Sequence, residues 1–337
     1  MAVLTHRAAP PAGLILVAAA LAAAGTAACR STPPAPVPPV PEPAEAPATR
    51  SEPAGRVVPL PGRPEGLAFD PGSGRLVAGV DGGVAVLNAD GGSVQMVDLG
   101  ARPRHVGLVE GGGAVLVPLE PADELVVVGL PGGEVRQRVR VGRQPHDAAA
   151  AAGRIFVSDE SADTVSVIEG SGVRATLPAP IQPGGVATDG ESIVVIGVRG
   201  RRLSVLDAAT VTERKRLDAG VGPTHVVAHQ SLAWVTDTQG NEILVYRLGA
   251  RPERAGRADA PGAPYGVVLD APRSRLWVTL TQTNELLEFR VDGDRLRRGA
   301  RYPTVRQPNS VAVDPGTGTV YVAGVAESQL QIITPEE

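Results

Sequence analysis

The chain has one cysteine, Cys29, so it can form neither an internal disulfide nor a paired-cysteine metal site. Aromatic residues make up only 3% of it, too few for an evident base-stacking platform. Its longest apolar run, Leu14 to Ala24, falls short of the roughly 20 residues that cross a bilayer. Neither HExxH nor GxSxG occurs, which removes the metalloprotease helix and the hydrolase nucleophile elbow. Gly220-Val221-Gly222 opens a dinucleotide-type pattern, but His225 stands where its third glycine should fall. Basic and acidic residues number 32 and 36, a net charge of −4, and no nucleic-acid partner is expected from that balance.

What the chain has in abundance is proline and glycine, in phase. A proline opens an apolar segment at Pro64, Pro103, Pro145, Pro183, Pro223, Pro264 and Pro308, at intervals of 38 to 44 residues. A bulky residue follows each proline by 11 to 13 positions, at Leu76, Leu116, Phe156, Val194, Trp234, Trp277 and Tyr321. A third apolar series, Val84, Leu125, Val165, Leu203, Ile243, Leu286 and Leu330, follows 8 or 9 positions later. Alternation such as Thr164-Val165-Ser166-Val167-Ile168 is the period of a half-buried strand and disfavours a helical solenoid. Turns such as Asp70-Pro71-Gly72 and Asp314-Pro315-Gly316 separate the strands.

Four short strands in about forty residues make a propeller blade. The expected fold is therefore all-β: a seven-bladed β-propeller of four-stranded blades spanning residues 55–337. The last copy has only three strands, and residues 55–61, centred on Arg56-Val57-Val58-Pro59-Leu60, have no blade of their own. That segment is expected to supply the missing outer strand and close the ring, removing two open edges. Basic runs such as Glu213-Arg214-Lys215-Arg216 fall in outer strands, where charge discourages edge-to-edge aggregation.

Residues 1–28 have the layout of an export signal: His6-Arg7, the apolar run, then small residues up to Cys29. Thr26-Ala27-Ala28-Cys29 resembles the bacterial lipobox, with Thr26 in place of the usual Leu or Val. Cys29 is thus the expected lipidation site, the membrane a partner through that anchor, and the cell envelope the expected location. Residues 29–54 are rich in proline and alanine and read as an extended spacer.

Gly142-Arg143-Gln144-Pro145-His146-Asp147 with Ile155-Phe156-Val157-Ser158-Asp159 resembles the YVTN-type repeat of YncE-like propellers. The copy around Pro223, with Ala233-Trp234-Val235-Thr236, is similar to it. The resemblance implies an envelope or secreted propeller and names no activity. A more distant likeness to streptogramin lyases rests on Leu276-Trp277-Val278-Thr279, with Leu280 where an acidic residue commonly follows.

In such a fold the second position after each proline should ring the channel mouth: Gly66, His105, Asp147, Gly185, His225, Gly266 and Ser310. The next ring down is expected at Ala68, Gly107, Ala149, Ala187, Val227, Val268 and Ala312. Two of the five histidines fall in the mouth ring and His146 lies beside it, so His105, His146, Asp147 and His225 are the candidate ligand site. Two imidazoles and a carboxylate suit a divalent metal, which makes His105, Asp147 and His225 the candidate metal ligands. Coming from blades two, three and five, these side chains could equally lie too far apart and line a wet channel. The rim loops on that face are acidic, with Glu120, Asp123, Asp159, Glu160, Asp163 and Glu242 among them, except where Arg199, Arg201 and Arg202 form a basic spot.

The leading reading is a monomeric, envelope-anchored binding or scaffolding module whose top face takes a protein or small molecule. The alternative is a metal-assisted lyase or lactonase-like hydrolase acting at the mouth. Two acyl chains are the number needed for stable membrane association. Cys29→Ser is accordingly expected to move the protein from the membrane to the soluble fraction or leave it unprocessed; normal processing with undiminished membrane retention would refute lipidation.

Overall fold

The chain forms 28 short strands in the computed structural model, which describes residues 40–336 apart from Ser93; the middle strands of the blades are buried on both faces, and outer strands such as Gly172–Pro178 alternate between half-buried and exposed. The expected signal segment and Cys29 lie outside the described residues. The strands form seven antiparallel four-stranded sheets, and the only helical element among the described residues is a 3-10 turn, Glu120–Ala122. Six blades are continuous, at residues 67–98, 107–140, 145–178, 183–218, 223–259 and 264–303. The seventh combines Pro308–Val313, Val320–Gly324 and Gln329–Ile333 with Arg56–Pro59 as its outer strand.

The closing strand pairs Val57 with Gln331 and Val58 with Leu330. Val57 and Val58 pack on opposite faces of the blade, against the clusters built on Trp277 and on Tyr321. Gln331 is fully buried and joins three segments: its amide donates to Ala54 O and Pro303 O, and its Oε1 accepts the Val305 N–H at 3.0 Å.

The bulky series of the second strands is buried throughout, from Leu76 at 0% exposure to Trp234 at 2%. These side chains fill the wedges between blades, as in the Phe69–Tyr321 stack that joins blade one to blade seven. Each side chain of this size contributes on the order of 2–3 kcal/mol by leaving water.

Two polar devices recur with the repeat and register blade on blade. Asp123, Asp163, Asn241 and Asn284 end top-face turns at positive φ, where short polar side chains are tolerated. Their side-chain oxygens accept N–H groups just before the next blade's proline: Gln144, Gln182, Ala263 and Gln307, at 2.7–3.0 Å. The second device is a hydroxyl in the second strand. Ser158 Oγ accepts the Asp147 N–H and donates to Gly184 O of the next blade. Thr236 does the same between His225 N–H and Tyr265 O.

The spacer expected over residues 29–54 does not stand away from the disc over its second half. Residues 40–54 lie on the top face because that face offers partners for their backbone: Gln307 Oε1 accepts Ala46 N–H, Gln307 Nε2 donates to Ala44 O, Asn284 Nδ2 donates to Pro47 O, and Thr281 Oγ1 accepts Ala44 N–H. Ala46 is 2% exposed. The segment runs outward from the channel mouth along the junction of blades six and seven and continues into the closing strand.

Deleting residues 55–61 exposes an unpaired edge and uncovers Val57, Val58 and Leu60. Thermal denaturation of the deletion is expected to show a marked drop in Tm; a Tm equal to that of the intact chain would contradict closure by this strand.

Candidate ligand site at the channel mouth

The inner strands do not start as regular strands. Registers shift between Pro145 and Asp147, Pro183 and Val186, Pro223 and Val226, Pro264 and Val267, and Pro308 and Ser310. A bulge re-aims side chains locally. In these five blades it brings two successive residues to the axis instead of one, while in blades one and two the regular strand begins only at Leu67 and Gly107, and the mouth becomes two stacked rings.

The lower ring is the expected one. Gly66, His105, Asp147, His225, Gly266 and Ser310 line a channel cavity of about 180 Å3. Below it the cavity is lined by Leu67, Val106, Ala148, Val186, Val226, Val267 and Val311, with Gly107 alone from the series expected there. The bulge accounts for that one-residue shift.

The upper ring is the position directly after the proline: Glu65, Arg104, His146, Gly184, Thr224, Tyr265 and Asn309. Arg104, His146, Gly184, Thr224 and Tyr265, together with Glu160 and His225, line a small recess on the top face, roofed by Val40, Pro41 and Glu42. The three central histidines converge although they come from blades two, three and five. Ring centres lie 4.8 Å apart for His105 and His146, 4.9 Å for His105 and His225, and 4.3 Å for His225 and Tyr265.

Their charges differ because their partners differ. Burial alone would lower His146, but the carboxylates of Glu120 and Glu160, 3.0 and 3.2 Å from its Nδ1, outweigh that and push it up to about 9. Glu160 responds in the opposite sense: burial would raise it, but the bond from His146 and the amide of Gln182 hold it down at about 2. His225 is driven down to about 3 by burial and by the neighbouring cations His146 and Arg104, and its buried Nδ1 has no partner. His105 is lowered well below the usual imidazole value for the same reasons. Burial would also discharge Arg104, yet Glu65, 3.7 Å away, with Glu120 and Glu42, keeps it protonated. At neutral pH the mouth therefore holds two cations, Arg104 and His146, above two neutral imidazoles.

The candidate residues divide accordingly. His105, His146, Asp147 and His225 are all brought to the mouth, but His105, Asp147 and His225 do not form a ligand set. The Asp147 carboxylate accepts the Val186 and Ala148 N–H groups at 2.8 Å, and His105 Nδ1 is 3.8 Å from it. Asp147 is thus spent on holding blade four to blade three, and burial pushes it up to about 6. Among the described residues the atoms that do converge belong to Glu120, His146 and Glu160, with no pair more than 4.8 Å apart. Arg104 and Tyr265 were not among the candidates; reading one position closer to each proline finds both.

No protein-family model matches the sequence, and no curated protein matches it either. Many solved structures share the fold. A chain of hydrazine synthase from Kuenenia stuttgartiensis superposes with a TM-score of 0.69 at 17% identity, over 82% of this chain and 96% of that one. A chain of the mitotic checkpoint complex gives 0.73 at 15% identity, over 87% and 97%. Streptogramin B lyase gives 0.68 at 12% identity, over 83% and 96%. Proteins this diverse have the β-propeller in common, and at these identities the likeness is one of fold alone.

Leaving a buried N–H without an acceptor costs about 1–3 kcal/mol. Asp147→Ala is expected to destabilise the fold by about that amount, while Asp147→Asn, which keeps one acceptor oxygen for two N–H groups, recovers only part of it. Chemical denaturation of the two variants measures this, and a neutral Asp147→Ala would show that the carboxylate has no bridging role.

Proposed function

We propose that this protein is an exported binding module, held at the bacterial envelope through Cys29, whose ligand site is the recess at the centre of the top face. The observation that carries this reading is the concentration of polar chemistry there. Burying His146 and Tyr265 beside a half-buried Arg104 costs free energy that a purely structural channel plug of apolar residues would avoid. The channel cavity of about 180 Å3, lined in part by Gly66, Gly266 and Ser310, opens beneath them. A concave site with a few convergent polar groups is the usual form of a small-molecule site.

The donor set defines the ligand class. Arg104 attracts an anionic oxygen, the Tyr265 hydroxyl adds a neutral donor, and the neutral imidazole of His225 offers an acceptor. A small polar molecule bearing a carboxylate or phosphate fits that arrangement. The YncE-like repeat pattern and the export signal agree with an envelope location.

Ligand-induced thermal shift across a panel of anionic envelope metabolites is the direct test. At least one compound is expected to raise the Tm of the wild type and to lose that effect in Arg104→Ala and in Tyr265→Ala. Stabilisation that persists in both variants, or none across the panel, would refute the site.

A further inference from the structure

We propose that Glu120, His146 and Glu160 form a binding site for one divalent transition-metal ion, with zinc the best fit. The proposal rests on the recess being a binding site, and it adds an inorganic occupant on the blade-two and blade-three side of that recess.

Geometry is the first argument. Zinc bonds to imidazole nitrogen and carboxylate oxygen are about 2.0–2.2 Å long, so adjacent ligands of a tetrahedral ion stand roughly 3.3–3.5 Å apart. Here Nδ1 of His146 lies 3.0 Å from Oε1 of Glu120 and 3.2 Å from Oε2 of Glu160. An ion replacing the shared proton needs each of those two pairs to part by only a few tenths of an ångström, while the Glu120 and Glu160 oxygens, within 4.8 Å of one another, draw in on it.

Support from behind the ligands is the second. The remaining oxygen of Glu160 accepts a hydrogen bond of 2.6 Å from Gln182 Nε2, which fixes the carboxylate while leaving its other oxygen directed at His146. Metal-ligating carboxylates characteristically have such an outer partner. The His146 ring is held against His105 at 4.8 Å. The three ligands come from separate elements, the 3-10 turn Glu120–Ala122, the start of the strand Pro145–Ala151 and the turn after Arg154–Asp159, which Gln144 ties together: its N–H donates to Asp123 and its carbonyl accepts the Glu160 N–H.

Charge and an orphan group complete the case. Two carboxylates and a neutral imidazole sum to −2 and neutralise a divalent ion. The nearest opposing charge, Arg104, is paired with Glu65. His225, which lines the same recess as His146 and Glu160, has a buried Nδ1 with no hydrogen-bond partner. That nitrogen is available to accept from a donor brought into the recess. Mixed nitrogen and oxygen donors suit zinc, and also manganese, iron and cobalt, over calcium or magnesium.

The test uses the full chain after exhaustive chelation. Zinc chloride titrated by calorimetry is expected to bind with one-to-one stoichiometry, and cobalt(II) to give the visible absorption of a tetrahedral nitrogen and oxygen site. Glu160→Gln and Glu120→Gln, each nearly isosteric, should abolish both signals, and Gln182→Ala should weaken zinc by about 10-fold or more through the lost outer partner. Glu124→Gln, an exposed rim carboxylate paired with Arg138, should change nothing. Nitrogen NMR of the five imidazoles in the wild type gives a readout that needs no variant: zinc must shift the His146 Nδ1 resonance. Absence of stoichiometric binding, or binding that leaves that resonance or the Glu160→Gln affinity unchanged, would overturn the proposal. The anion panel can succeed or fail independently, which separates this outcome from that of the binding-module reading.

Discussion

The pairing of Arg56–Pro59 with Gln329–Ile333 is the contact on which the rest depends, because it turns a row of blades into a ring. Without it, blades one and seven would each present a flank, and the rings at the mouth would have no fixed diameter. Loop-closure entropy rises only slowly with chain length, so joining ends this far apart in sequence is cheap relative to the ladder and apolar contacts it creates. The same closure sets the course of the preceding residues. Residues 44–47 cross the top face, and the chain then descends past Gln331 so that Arg56 enters the outer strand beside Ile332, away from that face, and Leu60 returns to it at Ser328.

Blade number, strand count and closure were legible because each rests on a periodic signal that burial imposes on every copy. The bulky series was readable for that reason, from Leu76 through Tyr321. The mouth was legible only in part. Alternation implies one inward residue per two, but the irregular start of the inner strand after each proline, a bulge in five blades, breaks alternation where the site lies, so Arg104 and Tyr265 were passed over and the lower lining moved by one residue. The convergence of His105 and His225 was also invisible, since no periodicity states how wide a channel is. The role of Asp147 was hidden for a different reason: its partner, the Val186 N–H, belongs to the next blade, and a backbone donor leaves no mark in sequence.

The acidic rim illustrates how one composition covers several physical roles. Asp123 and Asp163 sit at left-handed turn positions and clasp the following blade. Asp159 and Asp237 are buried and tie down loops, Asp159 through Thr164 and Ser166, Asp237 through Val221, Gly222 and Gly240. Glu120 and Glu160 turn inward and set the charge of His146. What reads in sequence as a negative patch is thus largely consumed by the fold, and less of it is free for partners than a count of carboxylates suggests.

The path of residues 40–54 has a mechanical consequence. The chain leaves the described part of the molecule at Val40, above the axis, and not at the rim. A pull applied upstream of Val40 is directed at the centre of the disc, and it meets the bonds to Thr281, Gln307 and Asn284 one after another before any load reaches Arg56–Pro59. The segment therefore works as a graded fuse: tension peels it from the mouth outward, uncovering the recess while the ring is still intact.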